Sequence, residues 1–92
     1  MVNSTTYPIR DAGVIAQPSG ELLVLFQMDS GRYFSLNECG SRIWDICDGT
    51  QTANEIAERI AEEYGSPSGV REDVLALLLQ LSDKGLLKSL ET

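Results

Sequence analysis

Apolar and polar positions change their period once along this chain, and the change divides it in two. The first thirteen residues, Pro8 among them, hold no sustained pattern and predict a mobile, polar N-terminal arm. Val14 to Gln17 is a short apolar stretch closed by the turn cluster Pro18-Ser19-Gly20. Glu21 to Met28 reads ELLVLFQM, rich in strand formers and bounded by turn residues on both sides. Asp29-Ser30-Gly31 suits a three-residue hairpin loop, with Gly31 where φ must be positive. Arg32 to Leu36 then forms the third strand. Its period of two puts Phe34 and Leu36 on one face and Tyr33 and Ser35 on the other. The first third is a small β-meander.

The remainder is helical, with marked ends. Asn37 is a good N-cap, and Glu38 follows where the helix dipole favours an anion. Cys39, Ile43, Ile46 and Cys47 recur at helical spacing, and Asp48-Gly49 stops this first helix. Trp44, flanking Ile43, belongs to the core. Thr52-Ala-Asn-Glu55 is a capping box that opens a second helix. Ile56, Ile60 and Tyr64 line one face of it, and Gly65 ends it. Ser66-Pro67-Ser68-Gly69 is the next break. A third helix runs from about Val70 to Lys84, with Gly85 as the left-handed residue beyond it and Leu86 folding back onto Leu81.

The third helix is apolar over too wide an arc. Val70, Val74, Leu77 and Leu81 fall within about 60° and make one core-facing stripe. Leu78, Leu75 and Leu79 carry the apolar surface round to about 180°. Either the helix is buried on two sides, or one flank lines an apolar groove for a partner. The meander raises the same question. A sheet of three strands has two edges, and an unpaired strand can accept an extended peptide by β-augmentation unless another segment or a second copy covers it.

Composition and charge exclude several functions. The chain has 92 residues, enough for one domain with one core. Fourteen acidic against seven basic residues give a net charge of −7. The seven, Arg10, Arg32, Arg42, Arg59, Arg71, Lys84 and Lys88, are spread evenly, so no cluster exists to neutralise phosphates, and nucleic acid is not expected as a partner. Without histidine there is no Ser/His or Cys/His nucleophile pair and no imidazole metal ligand. Cys39 and Cys47 are too few for a zinc site and wrongly spaced for a redox pair. They read as small apolar residues, about 12 Å apart along one helix and unable to form a disulfide. No segment reads as a membrane span or signal peptide, so the expected location is the cytoplasm. No cofactor, no metal and no catalysis by this chain are expected, and the chain is expected to be a monomer.

One segment and several outlying positions together resemble a known family. The segment is Gly31-Arg-Tyr-Phe-Ser-Leu36-Asn37-Glu-Cys-Gly40-Ser-Arg-Ile43-Trp44. Asp48-Gly49, Thr52, Ile56, Asp73-Val74, Leu78, Leu81 and Gly85-Leu86-Leu87 follow in order. This pattern is similar to the PqqD-like domains that recognise precursor peptides of ribosomally made, post-translationally modified peptides. The likeness covers residues 14–88, leaving an arm at 1–13 and a tail at 89–92.

The resemblance implies an α+β, winged-helix-like fold, a three-stranded antiparallel sheet followed by three helices. It implies binding of a precursor leader peptide, which adds as a strand beside the third strand and packs on the third helix. It carries the binding role to Arg32, Tyr33, Phe34, Ser35 and Leu36, and to Val70, Asp73, Val74, Leu77 and Leu81. Phe34 and Leu36 would floor the groove, with Tyr33 and Ser35 facing away and flanking it. Glu72 and Asp73 are candidates for meeting a leader cation, unless they only satisfy the helix N-terminus. A stand-alone domain of this kind resembles the recognition protein of lasso-peptide clusters, which serves a leader peptidase and a cyclase. The alternatives are a peptide chaperone for a radical-SAM enzyme in quinone-cofactor synthesis and a winged-helix DNA-binding regulator.

Overall fold

A computed structural model describes residues 6–65 and 68–90. The element order is β1 (Tyr7–Arg10), β2 (Val14–Ser19), β3 (Leu22–Gln27), β4 (Arg32–Leu36), α1 (Glu38–Ile46), α2 (Ala53–Glu63), α3 (Val70–Asp83) and β5 (Leu87–Leu90). Strands β2, β3 and β4 form the expected antiparallel meander. The hairpin loop has one residue more than expected, because Gln27 pairs with Arg32 and leaves 28–31 as the turn. Gly31 supplies φ 70° there, and its N–H donates to the Gln27 carbonyl at 2.9 Å.

The helix ends are set by local chemistry. The Asn37 side chain accepts from the Gly40 N–H, capping α1 directly at the end of β4. Thr52 and Glu55 form a reciprocal capping box, with bonds of 3.1 and 2.8 Å. Helix α3 ends in a Schellman turn: Gly85 sits at φ 77°, its N–H donates to Ser82, and the Leu86 N–H reaches back to Leu81 at 2.9 Å. The break at Ser66 and Pro67 lies outside the described residues.

Both chain ends depart from expectation. Residues 7–10 of the presumed arm form β1, which pairs antiparallel with β5, so Ser89 and Leu90 of the presumed tail are also strand residues. Residues 1–5 and 91–92 lie outside the described residues. The pairing joins segments about eighty residues apart, so no local pattern could announce it. Pro8 is fully buried, and the Arg10 guanidinium donates to the last carbonyls of α1, Trp44 at 3.0 Å and Asp45 at 2.8 Å. Those carbonyls would otherwise lack partners within the helix.

One core joins sheet and helices. Leu25, Ile43, Ile56, Ile60, Leu78 and Leu86 are almost completely buried, and Trp44 joins them as expected. On α3 the buried line is Val74, Leu78 and Leu81, while Val70 and Leu77 are only half-buried. The core-facing direction is therefore turned towards Leu78 relative to the stripe read from the sequence, and Val70 and Leu77 are left on its shoulder.

The turn at Gly85 gives a direct test. A Cβ there would stand 3.1 Å from Gln27 Nε2, the group that donates to the Lys84 carbonyl at 2.9 Å. Gly85→Ala should cost about 1 kcal/mol or somewhat more, read as a lower urea midpoint with an unchanged slope.

Candidate functional site

Strand β4 is the outer strand of its sheet, and no described strand pairs with its far side. The ladder fixes which backbone groups face outwards. The Met28 N–H donates to the Gly13 carbonyl at 3.0 Å, so Phe26 and Met28 turn their backbone groups towards β2. Gln27, Leu25 and Leu23 then turn theirs to Arg32, Phe34 and Leu36. The alternation leaves the N–H and C=O groups of Tyr33 and Ser35 on the open edge.

Helix α3 runs past this edge in the opposite direction to β4. Its end lies beside the hairpin: Lys84 Nζ stands 5.6 Å from the centre of the Phe34 ring, a cation–π contact. Its first half borders a cavity of about 440 Å³ at the far end of β4. Asn37, Cys39, Gly40 and Ile43 line that cavity from the start of α1, Tyr64 from the end of α2, and Val70, Asp73, Val74 and Leu77 from α3. Gly40 permits the closeness of α1 to β4, since a Cβ would meet the Leu36 Cβ at 3.2 Å. The edge of β4, the shoulder of α3 and the cavity thus border one groove.

The ten residues expected at the site separate into groups. Val70, Asp73, Val74 and Leu77 line the cavity. Phe34 is half-buried against the core beneath Lys84, and Leu36 is buried in the core. Leu81 is 3% exposed and does not line the cavity, because it closes the core beneath the Schellman turn. Tyr33 is 70% exposed and stacks on Phe26 across the other face of the sheet, with ring centres 4.8 Å apart. Tyr33 and Ser35 therefore bring only backbone groups to the groove, and Arg32 stands exposed at its hairpin end. Glu72 does not share the groove with Asp73: it lines a separate cleft with Glu58 and Arg71, on the opposite side of α3.

The sequence reading missed Asn37, Cys39, Gly40, Ile43 and Tyr64 as lining residues. Cys39 and Ile43 are one helical turn apart, which was the available signal for a shared face. Tyr64 was read on one face of α2 with Ile56 and Ile60; it lies just beyond the last helical residue and is 47% exposed, while those two are buried. A hydrogen bond with Cys39 is the main cause that raises its phenol above the ordinary range. Beside it, the Arg42 guanidinium grips Glu63 through two bonds of 3.0 and 2.9 Å and holds that carboxyl below its usual range. Among the described residues no three acidic or thiol groups are placed to hold a metal ion, and no helix is long and apolar enough to cross a membrane.

The family model described as coenzyme PQQ synthesis protein D (PqqD) matches residues 23–87. The chain belongs to the PqqD family. Two solved structures match this PqqD-family chain, each with a TM-score of 0.75. One is TbiB1 in complex with the TbiA(beta) leader peptide, 28% identical, covering 91% of this chain and 99% of that one. The other is lasso peptide synthetase B1 complexed with the leader peptide. It is 19% identical over 89% of this chain and 98% of that one, and it establishes likeness of fold alone. No curated protein matches.

The two thiols of this PqqD domain should differ in reactivity. Cys39 is half-buried at the cavity. Cys47 is fully buried, donates to the Ile43 carbonyl at 3.2 Å, and is pushed by burial up to about 12. At mildly alkaline pH, iodoacetamide should label Cys39 in the folded protein and Cys47 only after unfolding, as read by peptide mass spectrometry. The raised Cys47 value also sets a sign. The fold favours the neutral thiol, so stability is intact below the unfolded value near 9 and falls as pH rises towards 12. The stability gap between wild type and Cys47→Ala should narrow over that window in urea titrations.

Proposed function

We propose that this PqqD-family chain binds the leader segment of a ribosomally synthesised precursor peptide and delivers it to a maturation enzyme. The leader adds as a further strand on the open edge of β4. Its main chain bonds to the outward groups of Tyr33 and Ser35, and its apolar side chains pack against the shoulder of α3. The observation that carries this reading is the unpaired β4 edge bordering an apolar cavity built from α1 and α3. Main-chain pairing gives affinity without demanding a sequence, and the cavity gives selectivity. The leader-peptide complex of TbiB1, similar over nearly its whole length, supports the same role here.

The recipient enzymes in this reading are the leader peptidase and cyclase of lasso-peptide biosynthesis, whose stand-alone recognition protein this domain resembles; the TbiB1 complex supports the leader-binding step. The family's description favours a second reading, a peptide chaperone in quinone-cofactor synthesis. In either case the chain works as a monomeric, non-catalytic adapter in the cytoplasm, in keeping with its two free thiols. A DNA-binding role is opposed by the net charge of −7.

The test is fluorescence anisotropy with a labelled leader from the precursor encoded beside this chain's gene. Ser35→Pro removes an outward N–H while leaving the bonds between β3 and β4 intact. Leu77→Asp places a charge on the cavity wall without opening the buried line of α3. Wild type should bind with micromolar affinity or better, and each folded variant should weaken binding by about tenfold or more. Unchanged binding in both folded variants would remove this groove as the site.

A further inference from the structure

Resting on the leader-binding reading, the geometry points to a groove that reads charge order along the peptide. We propose that it selects an extended segment lying antiparallel to β4, with a basic side chain towards its N-terminal end and an acidic one about four or five residues later.

The groove is electrically polar along its length. At the hairpin end stand two cations, Arg32 on β4 and Lys84 at the end of α3. Both are exposed, and neither is in an ion pair among the described residues. Arg32 pairs with Gln27, whose amide is bonded to the Lys84 carbonyl, so both cations sit at one pole. At the other end stand two carboxylates, Glu38 and Asp73. Asp73 lines the cavity, and Glu38 lies between the lining residues Asn37 and Cys39. Both are exposed and outside the ion pairs of the described residues.

Asp29 in the 28–31 turn and Asp83 next to Lys84 are carboxylates at the same end as the two cations, so the order rests on which charges face the groove. Arg42 and Arg59 are both drawn to Glu63. Glu58 is engaged by Arg71, and Glu72 lies with them in the separate cleft. On a helical wheel Asp73, Leu77 and Lys84 share one shoulder of α3 within about 40°, while Asp83 is turned about 100° from Lys84, away from the core.

Both walls give a similar spacing. Asp73 to Lys84 spans about 16 Å at the helical rise, and β4 from Arg32 to Leu36 spans about 13 Å at the strand rise before the chain turns into α1. These distances correspond to about four or five residues of extended peptide. Every strand pair in this protein is antiparallel, the slightly more stable arrangement. An antiparallel peptide enters with its N-terminal end at the acidic pole, which fixes the order as base first and acid second.

The probe is a displayed library of short random peptides selected on the immobilised full chain at low salt. Selected peptides should be enriched in the order base then acid. Reversing the two charges of a selected peptide should weaken its binding on the order of tenfold, with the difference vanishing at high salt. In Arg32→Glu/Lys84→Glu the basic pole becomes acidic, and selection should replace the peptide's acid by a second base. Should that variant fail to fold, Arg32→Gln/Lys84→Gln should lose the preference for the acid alone. Peptides that bind wild type, lose binding to Ser35→Pro and show no charge order would overturn this proposal and leave leader binding standing. Peptides that bind Ser35→Pro as well as wild type would overturn both.

Discussion

Helix α3 has to bury Val74, Leu78 and Leu81 in the common core, and the rest of the chain is arranged around that line. The line turns the half-buried residues of α3 to its two sides. Leu75 and Leu79 lie on one side, Val70 and Leu77 on the other. The second pair becomes a groove wall because α1 starts immediately after β4, held there by the Asn37 cap and the bare Cα of Gly40. A longer connection, or a larger residue at 40, would move α1 away from the edge of β4 and open the cavity.

The same line is held from its far end. The Schellman turn at Gly85 sends Leu86 and Leu87 into the core and starts β5 in the direction needed to pair with β1. Strand β1 in turn secures the α1–α2 connection: the Arg10 N–H donates to the Cys47 carbonyl, the Gly49 N–H to Pro8, and the Ala53 N–H to Thr6, each at 3.0 Å. The two chain ends thus brace the helices from the side away from the groove. The outer edges of β2 and β4 are both unpaired among the described residues, and the edge of β4 is the one bordered by the cavity of α1 and α3, which suits it to receive a strand from another chain.

Much of this was legible locally. The hairpin with Gly31, the Asn37 cap, the Thr52–Glu55 capping box and the Gly85 stop are each signalled by residues within a few positions of one another, and each stands where those signals put it. The site was legible only in outline. Helical spacing on α3 gave a core-facing stripe, and the groove role of Val70, Asp73, Val74, Leu77 and Leu81 came from the resemblance; of these Leu81 is core. The strand period of two had already put Phe34 and Leu36 on one face and Tyr33 and Ser35 on the other. The pleat turns Tyr33 onto Phe26 across the other face and leaves Phe34 beneath Lys84.

What the sequence determined by itself was the set of elements, their caps and the exclusion of basic-patch and histidine chemistry, because each depends on residue type and short-range spacing. Only the tertiary structure decided that β1 and β5 pair, that Asp73 and Glu72 open onto different clefts, and that the end of α3 at Lys84 is tied to the hairpin through Gln27. Those relations join segments far apart in the chain. They are fixed by which face of each helix the shared core buries, and no local window of sequence contains that choice.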